Sequence, residues 1–155
     1  MNKKITRSLC AALALASNTP ATHLAASAYE LREVARFGQC FRLQQLISVQ
    51  IPVNEADITG LTALHWAAQN GHWRCVELLI RVAHVDALDW TQETPLHKAA
   101  WSGSYKCTQL LLNAGANPAA VNEFGQTPLD IAREKDFQAI IDILLDAAQE
   151  TTNEY

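Results

Sequence analysis

Apolar positions along most of the chain recur as two kinds of short block, one thin and alanine-rich, the next broad and leucine-rich. The first kind appears as Thr62-Ala63-Leu64-His65-Trp66-Ala67-Ala68-Gln69-Asn70-Gly71, as Thr94-Pro95-Leu96-His97-Lys98-Ala99-Ala100-Trp101-Ser102-Gly103 and as Thr127-Pro128-Leu129-Asp130-Ile131-Ala132-Arg133-Glu134-Lys135-Asp136, at offsets of 32 and 33 residues. The second kind follows each of them: Cys75-Val76-Glu77-Leu78-Leu79-Ile80, Cys107-Thr108-Gln109-Leu110-Leu111-Leu112 and Ile140-Ile141-Asp142-Ile143-Leu144-Leu145. Self-similarity at a fixed period points to a stacked array, in which each unit buries its apolar face against its neighbours.

Each unit reads as a helical hairpin. The leading Thr is placed to cap a helix by accepting a free N–H of the first turn. Pro95 and Pro128 fall at the first helical position, where a missing N–H costs nothing. The Ala pair keeps one face thin enough for a neighbouring helix to approach closely. Gly71 and Gly103 are placed to end the helix in a left-handed conformation.

The three Thr-x-Leu blocks, with Ala-Ala and a closing Gly in two of them and the turn Gly115-Ala116-Asn117, resemble the ankyrin-repeat family. The resemblance covers roughly residues 28–148. It implies an all-α solenoid of about four helix-turn-helix repeats with short β-hairpin-like fingers, at about 28–57, 58–89, 90–122 and 123–148. The first repeat is degenerate: Glu30–Gly38 and Phe41–Ile47 would be its helices, the Thr-Pro start is missing, and Glu30, Arg32, Glu33 and Arg36 would give its outer face to water. The second repeat lacks the Gly after its second helix and is one residue short, which predicts a distorted turn around Arg81–Asp86. The fourth repeat replaces His by Asp130 and the closing Gly by Asp136, and reads as the C-terminal cap. Residues 149–155 read as a polar tail.

Composition and charge refine this picture at the N-terminus. Residues 1–27 carry Lys3, Lys4 and Arg7 and no acid, in a chain of net charge −4. A basic start, the apolar run Leu9–Ala16, the breaker Ser17-Asn18-Thr19-Pro20 and the small residues Ala26-Ser27-Ala28 resemble a secretory signal peptide. The other reading is a leader helix, with Ile5, Leu9, Ala12, Leu13 and Ala16 on one face over the open end of the stack. Eight apolar residues cannot span a bilayer. Since the remainder is acidic, with no basic stripe, nucleic acid is not an expected partner.

Candidate chemistry is sparse. His65 and His97 share one repeat position, where the family's His bonds to backbone in the adjacent loop. His23, His72 and His84 have no spacing partner, so no metal is expected. Cys75 and Cys107 occupy one register of adjacent repeats, too far apart to bridge. Cys75 and Cys107 are expected to be buried small apolar residues, and Cys10 and Cys40 complete the four cysteines; unpaired thiols favour a reducing, cytosolic location over export. There is no nucleophile elbow, phosphate loop or carboxylate pair with a His at useful spacing, so the chain is not expected to be an enzyme or to hold a cofactor.

What remains is the set of positions that vary between repeats. The resemblance implies that fingers and first helices line a concave face where partners sit. Ile58, Leu61, Leu88, Trp90, Val121 and Phe124 fall on fingers, and Gln69 and Trp101 follow the Ala pairs. An exposed apolar strip rich in aromatics marks an interaction site. The expected strip centres on Trp90, Trp101 and Phe124, rimmed by Glu93, Glu123 and Gln126. The competing expectation turns Leu88, Val121 and one of Ile58 or Leu61 inward between fingers. Trp66 and Trp73 are assigned to structure, with stacking between repeats. The functional expectation is a monomeric module that binds one partner protein, acting as an adaptor or as a dedicated inhibitor of an enzyme, with an exported protein as the alternative set by residues 1–28.

Overall fold

The thin and broad blocks become inner and outer helices. The computed structural model describes residues 20–152, with side chains for residues 28–149. Its helices run α1 Pro20–Arg36, α2 Cys40–Ser48, α3 Ala63–Gln69, α4 Trp73–Leu79, α5 Pro95–Ser102, α6 Tyr105–Asn113, α7 Pro128–Glu134 and α8 Gln138–Thr152. Odd-numbered helices stack as an inner layer and even-numbered helices as an outer one, each packing on its hairpin mate and on its like in the next repeat. Among the described residues there is no strand. The expected hairpin-like fingers are tight turns, closed by the backbone bonds from Asp57, Asp89 and Asn122 N–H to Leu61, Glu93 and Gln126 O and by those from Gly60, Gln92 and Gly125 N–H to Asp57, Asp89 and Asn122 O, each 3.0 Å.

The core is the repeat read four times. Leu46, Leu79, Leu111 and Leu144 hold one outer-helix register and all are buried. Ala67, Ala68, Ala99 and Ala100 are fully buried between inner helices, and Arg133 takes the corresponding position in α7, where its side chain is exposed. Thr108, buried in an otherwise apolar register, returns its hydroxyl to Ser104 O at 3.0 Å. Asp136 adopts the left-handed conformation of Gly71 and Gly103, with φ +57°. At Gly103, φ +72°, a Cβ would also meet the Phe137 ring at 2.9 Å, so the closing glycine doubles as the seat of the next hairpin's aromatic.

The short second repeat ends its outer helix early. α4 stops at Leu79 and the chain turns through Val82 N–H and Ala83 N–H, both bonded to Leu79 O, with no left-handed residue. α6 instead runs to Asn113 and closes through Gly115 at φ +85°. At the N-terminal end the polar face is only part of the surface, since Phe37 and Phe41 are also exposed. α1 starts at Pro20 and contains Ala26-Ser27-Ala28, and α8 continues past residue 148 to Thr152. The basic start, the apolar run of the leader, Cys10 and residues 153–155 lie outside the described residues.

One expectation about cysteine is corrected. Cys40 and Cys75 form a disulfide, with Cα atoms 5.1 Å apart. Cys107 is a free buried thiol. Cys40, however, sits two residues earlier in its outer helix than Cys75 does in its own, and this diagonal brings the two within bridging distance. The argument for a reducing compartment therefore loses its premise.

Leu111 is fully buried at the centre of the stack. Leu111→Ala is expected to cost about 2–5 kcal/mol in urea unfolding, the range for a buried leucine cavity; a loss under about 1 kcal/mol would mean that the helical register is wrong.

Candidate functional site

The fingers are built by one device used three times. Asp57 Oδ1 accepts the N–H groups of Thr59 and Leu61 at 2.8 and 3.1 Å. Asp89 Oδ1 accepts those of Thr91 and Glu93, both at 2.9 Å. Asn122 Oδ1 accepts those of Phe124 and Gln126 at 3.0 and 2.9 Å. A short side-chain acceptor thus replaces the ladder partner that a two-stranded hairpin would supply. Burial opposes ionisation of Asp57, but bonds from Thr59, Trp66 Nε1 and Leu61 outweigh it and hold the carboxyl below the usual carboxylate range. The fingers are also joined in series: Trp90 N–H donates to Thr59 O at 3.3 Å and Glu123 N–H to Thr91 O at 3.0 Å.

The repeated histidines fasten fingers to helices. Thr62 N–H donates to His65 Nδ1, and Thr94 N–H to His97 Nδ1, each at 3.1 Å. That leaves Nε2–H to donate onward to Glu93 O at 3.1 Å and Gln126 O at 3.2 Å, in the following finger. The rings are therefore neutral Nε2–H tautomers. Burial is the main cause that pushes both imidazoles below the ordinary histidine value.

Between the two histidines lies an ion cluster that sequence reasoning missed. Lys98 Nζ bonds Asp89 Oδ2 at 2.8 Å and also Glu93 Oε2, with Lys98, Asp89 and Glu93 side chains only 14%, 5% and 19% exposed. Burial opposes the charge on Lys98, but the two carboxylates outweigh it and raise the ammonium's pKa. Burial likewise opposes ionisation of Asp89, and its bonds from Lys98, Glu93 N–H and Thr91 outweigh that and lower it. The clue was present in the sequence as Asp89, Glu93 and Lys98 at spacings of four and five, with Lys98 one residue after His97.

The expected strip residues divide into three groups. Ile58, Trp90 and Phe124 are 85%, 74% and 69% exposed, and Leu88 and Val121 are exposed beside them; Glu123 is exposed too. Of the pair Ile58 and Leu61, Leu61 is the one partly turned in. Trp101 is exposed, but it lies seven residues along α5 from its cap Thr94, about 10 Å from the fingers, where Lys135 Nζ sits 5.2 Å from its ring. Gln69, in the same register of the preceding helix, is half-buried, and its Oε1 has no hydrogen-bond partner. The remaining two polar residues are engaged internally: Glu93 with Lys98 and with Asn122 Nδ2 at 3.3 Å, and Gln126 with Glu134 Oε2 at 3.1 Å.

Trp66 and Trp73 are partly buried, and cations cover them. Arg36 lies over Trp66 at 4.6 Å; Arg74 and Lys106 each lie 5.0 Å from the Trp73 ring. Trp66 Nε1–H also donates to Asp57 Oδ2 at 3.0 Å, tying the first finger to its helix.

A shallow cleft of about 640 Å³ lies on the other side, between the outer helices α6 and α8. Tyr105, Gln109, Leu112, Ile143 and Asp146 are among its lining, which contains no nucleophile paired with a base. Among the described residues no three His, Cys, Asp or Glu side chains converge as a metal would need, and no helix is long and apolar enough to cross a membrane.

Comparison with known proteins bears on the repeat rather than on a reaction. A family model of ankyrin repeats in three copies matches residues 31–122. The chain is similar to the human transient receptor potential cation channel subfamily A member 1, with 48% identity over 46 residues. That segment is 30% of this chain and 4% of the channel protein.

The neutral imidazoles make stability depend on pH. His65 and His97 bind a proton less readily folded than unfolded, so their contribution is complete above the unfolded value near 6.5 and is lost as pH falls through the lower folded values. Urea unfolding should show stability dropping between pH of about 7.5 and 5, by up to about 1.4 kcal/mol per pH unit for each histidine. A flat profile over that range would rule out the neutral, bridging imidazoles.

Proposed function

Because this chain belongs to the ankyrin-repeat family, whose members are generally protein–protein interaction modules and typically non-catalytic, we propose that it is a non-catalytic binding module that takes one partner protein on its fingers and concave face. The supporting observation is the finger row itself: Ile58, Leu88, Trp90, Val121 and Phe124 present apolar surface to solvent from turns that are braced from within. Rigid presentation lowers the entropy lost on binding, and aromatic side chains carry much of the energy of such contacts. Trp101 and Gln69 extend the surface along the inner helices.

The narrower form of this reading is a dedicated inhibitor of a single enzyme. One binding strip is enough for a blocker, whereas an adaptor needs a second site. The test is affinity capture from the source cell, with wild type and Trp90→Ala/Trp101→Ala first shown to unfold at the same urea midpoint. The expected result is one protein held by the wild type and lost from the double variant, and an enzyme whose activity falls on binding selects the inhibitor. Equal recovery on both baits would move the site off the fingers.

The disulfide favours a second reading, in which the protein is exported. A Cys40–Cys75 bridge persists in an oxidising compartment, and residues 1–28 resemble an export signal. Intact-mass analysis of the chain from its source cell should find the N-terminal segment removed and two hydrogens missing from the fully reduced mass. A chain that retains Met1 with free thiols at Cys40 and Cys75 removes this reading.

A further inference from the structure

The finger edge has a charge as well as an apolar character, and the inference drawn from it rests on the binding role proposed above. The segments 53–62, 84–94 and 116–127 contain Glu55, Asp57, Asp86, Asp89, Glu93 and Glu123 and no Lys or Arg. Lys98, from α5, answers only the Asp89–Glu93 pair. Arg32, from α1, reaches the first finger at Glu55 O, 3.1 Å away, whereas Arg36, Arg74, Lys106 and Lys135 lie where inner helices end and outer helices begin, so no cation of this chain is bonded to Glu123 among the described residues. One edge of the molecule is therefore acidic and apolar together.

The tryptophans sharpen this. Among the described residues Trp66, Trp73 and Trp101 each have a cation of this chain over the ring. Trp90 has none, although it is 74% exposed. Its ring is nevertheless held: a Cβ on Gly60 would meet Trp90 Cδ1 at 2.7 Å, so the indole lies against the preceding finger. Ile58, Trp90 and Glu123 occupy the same position of successive fingers, directly after Asp57, Asp89 and Asn122. Along that row an aliphatic side chain is followed by an uncovered indole and then by an exposed carboxylate.

We propose that this row binds an extended basic segment of the partner protein, seating a Lys or Arg on the Trp90 ring with Glu123 as its counter-charge and an aliphatic residue on Ile58. A cation on an indole is attracted by the ring's negative face, and a nearby carboxylate adds to that where water is partly excluded. Stacked helices lie about 8–10 Å apart, and fingers joined one to the next share that spacing. Three residues of polyproline-type chain advance about 9.3 Å, so every third side chain meets one finger. Seven residues are then the shortest extended chain that touches all three.

The probe is fluorescein-labelled Leu-Pro-Pro-Arg-Pro-Pro-Arg, together with its reversed order and a version with Glu in place of both Arg, titrated with the whole chain and read by anisotropy. One of the two Arg orders should bind saturably and the Glu version should not. Glu123→Lys and Trp90→Ala should each weaken binding about tenfold, and raising salt from about 50 to about 500 mM should weaken it further. Glu123 is exposed, so its reversal leaves the fold intact and separates loss of charge from loss of structure. Equal binding of the Arg and Glu probes, indifference to Glu123→Lys, or no binding by either Arg order overturns the proposal. If none binds while a natural partner is still lost from Trp90→Ala/Trp101→Ala, the basic segment is wrong and the binding module stands. Self-association in sedimentation that vanishes in Trp90→Ala would make a second copy the occupant and would likewise overturn it.

Discussion

A neutral, buried imidazole with both nitrogens committed is the interaction on which this stack depends. His65 accepts from the backbone of its own helix cap and donates to the backbone of the next finger, and His97 repeats the arrangement one unit on. The ring thus fixes a helix start against a loop from a different repeat, which neither local propensity nor apolar packing would do. The ends of the stack show what the histidine is for. In the first repeat its register is held by Arg32, whose Nη1–H donates to Glu55 O at 3.1 Å in the finger that follows. In the last repeat it is held by Asp130, which accepts Thr127 N–H at 2.9 Å and is kept ionised chiefly by Thr127. A carboxylate can cap but has no second donor to pass onward, and among the described residues no finger follows it.

A solenoid joins each repeat only to its neighbours, so every junction needs its own fastening. The first junction has the Cys40–Cys75 bridge, His72 Nε2–H to Arg36 O at 3.0 Å, and Asn54 Oδ1 accepting His84 N–H at 2.8 Å. The second has His65, the bond from Trp90 to Thr59, and Asp86 accepting Asn117 N–H at 3.1 Å. The third has His97 and the bond from Glu123 to Thr91. The covalent link falls at the junction whose first member has Arg32 in the register of the bridging histidines.

The helices and their registers were legible because they obey a period: Leu46, Leu79, Leu111 and Leu144 could be aligned by counting. The histidine's backbone role came from the family resemblance, the period showing only that His65 and His97 share one position. The disulfide was not, because Cys40 and Cys75 are out of register by two residues and a strictly periodic comparison tests only Cys75 against Cys107. Nor was the role of Asp57, Asp89 and Asn122, which recur at the right spacing but differ in residue type and resemble ordinary polar loop positions. Glu93 looked like a rim residue for the opposite reason, since a lone acid on a finger reads as solvated until Lys98 is seen beneath it. The short turn after α4 was foreseen from a missing glycine, whereas the exposed Phe37 and Phe41 were not, since a count of charged residues at that end says nothing about which aromatics the helices turn outward.

The fold's own requirements are met on the inward side of the fingers. The Asx brackets, the imidazole bridges and the Lys98 cluster all use side chains that turn toward the helices. They leave the first outward position of each finger with little structural duty. Gly60 needs only some flat group against it, and nothing in the packing requires that Ile58 be aliphatic, that Trp90 be an indole without a cation, or that Glu123 be an acid. Side chains that fold stability leaves free, yet that cost free energy in water when they are large and apolar, are explained by what meets them from outside. Under the proposed binding role the finger edge carries the specificity, and the inner-helix surface around Trp101, already partnered by Lys135, is secondary to it.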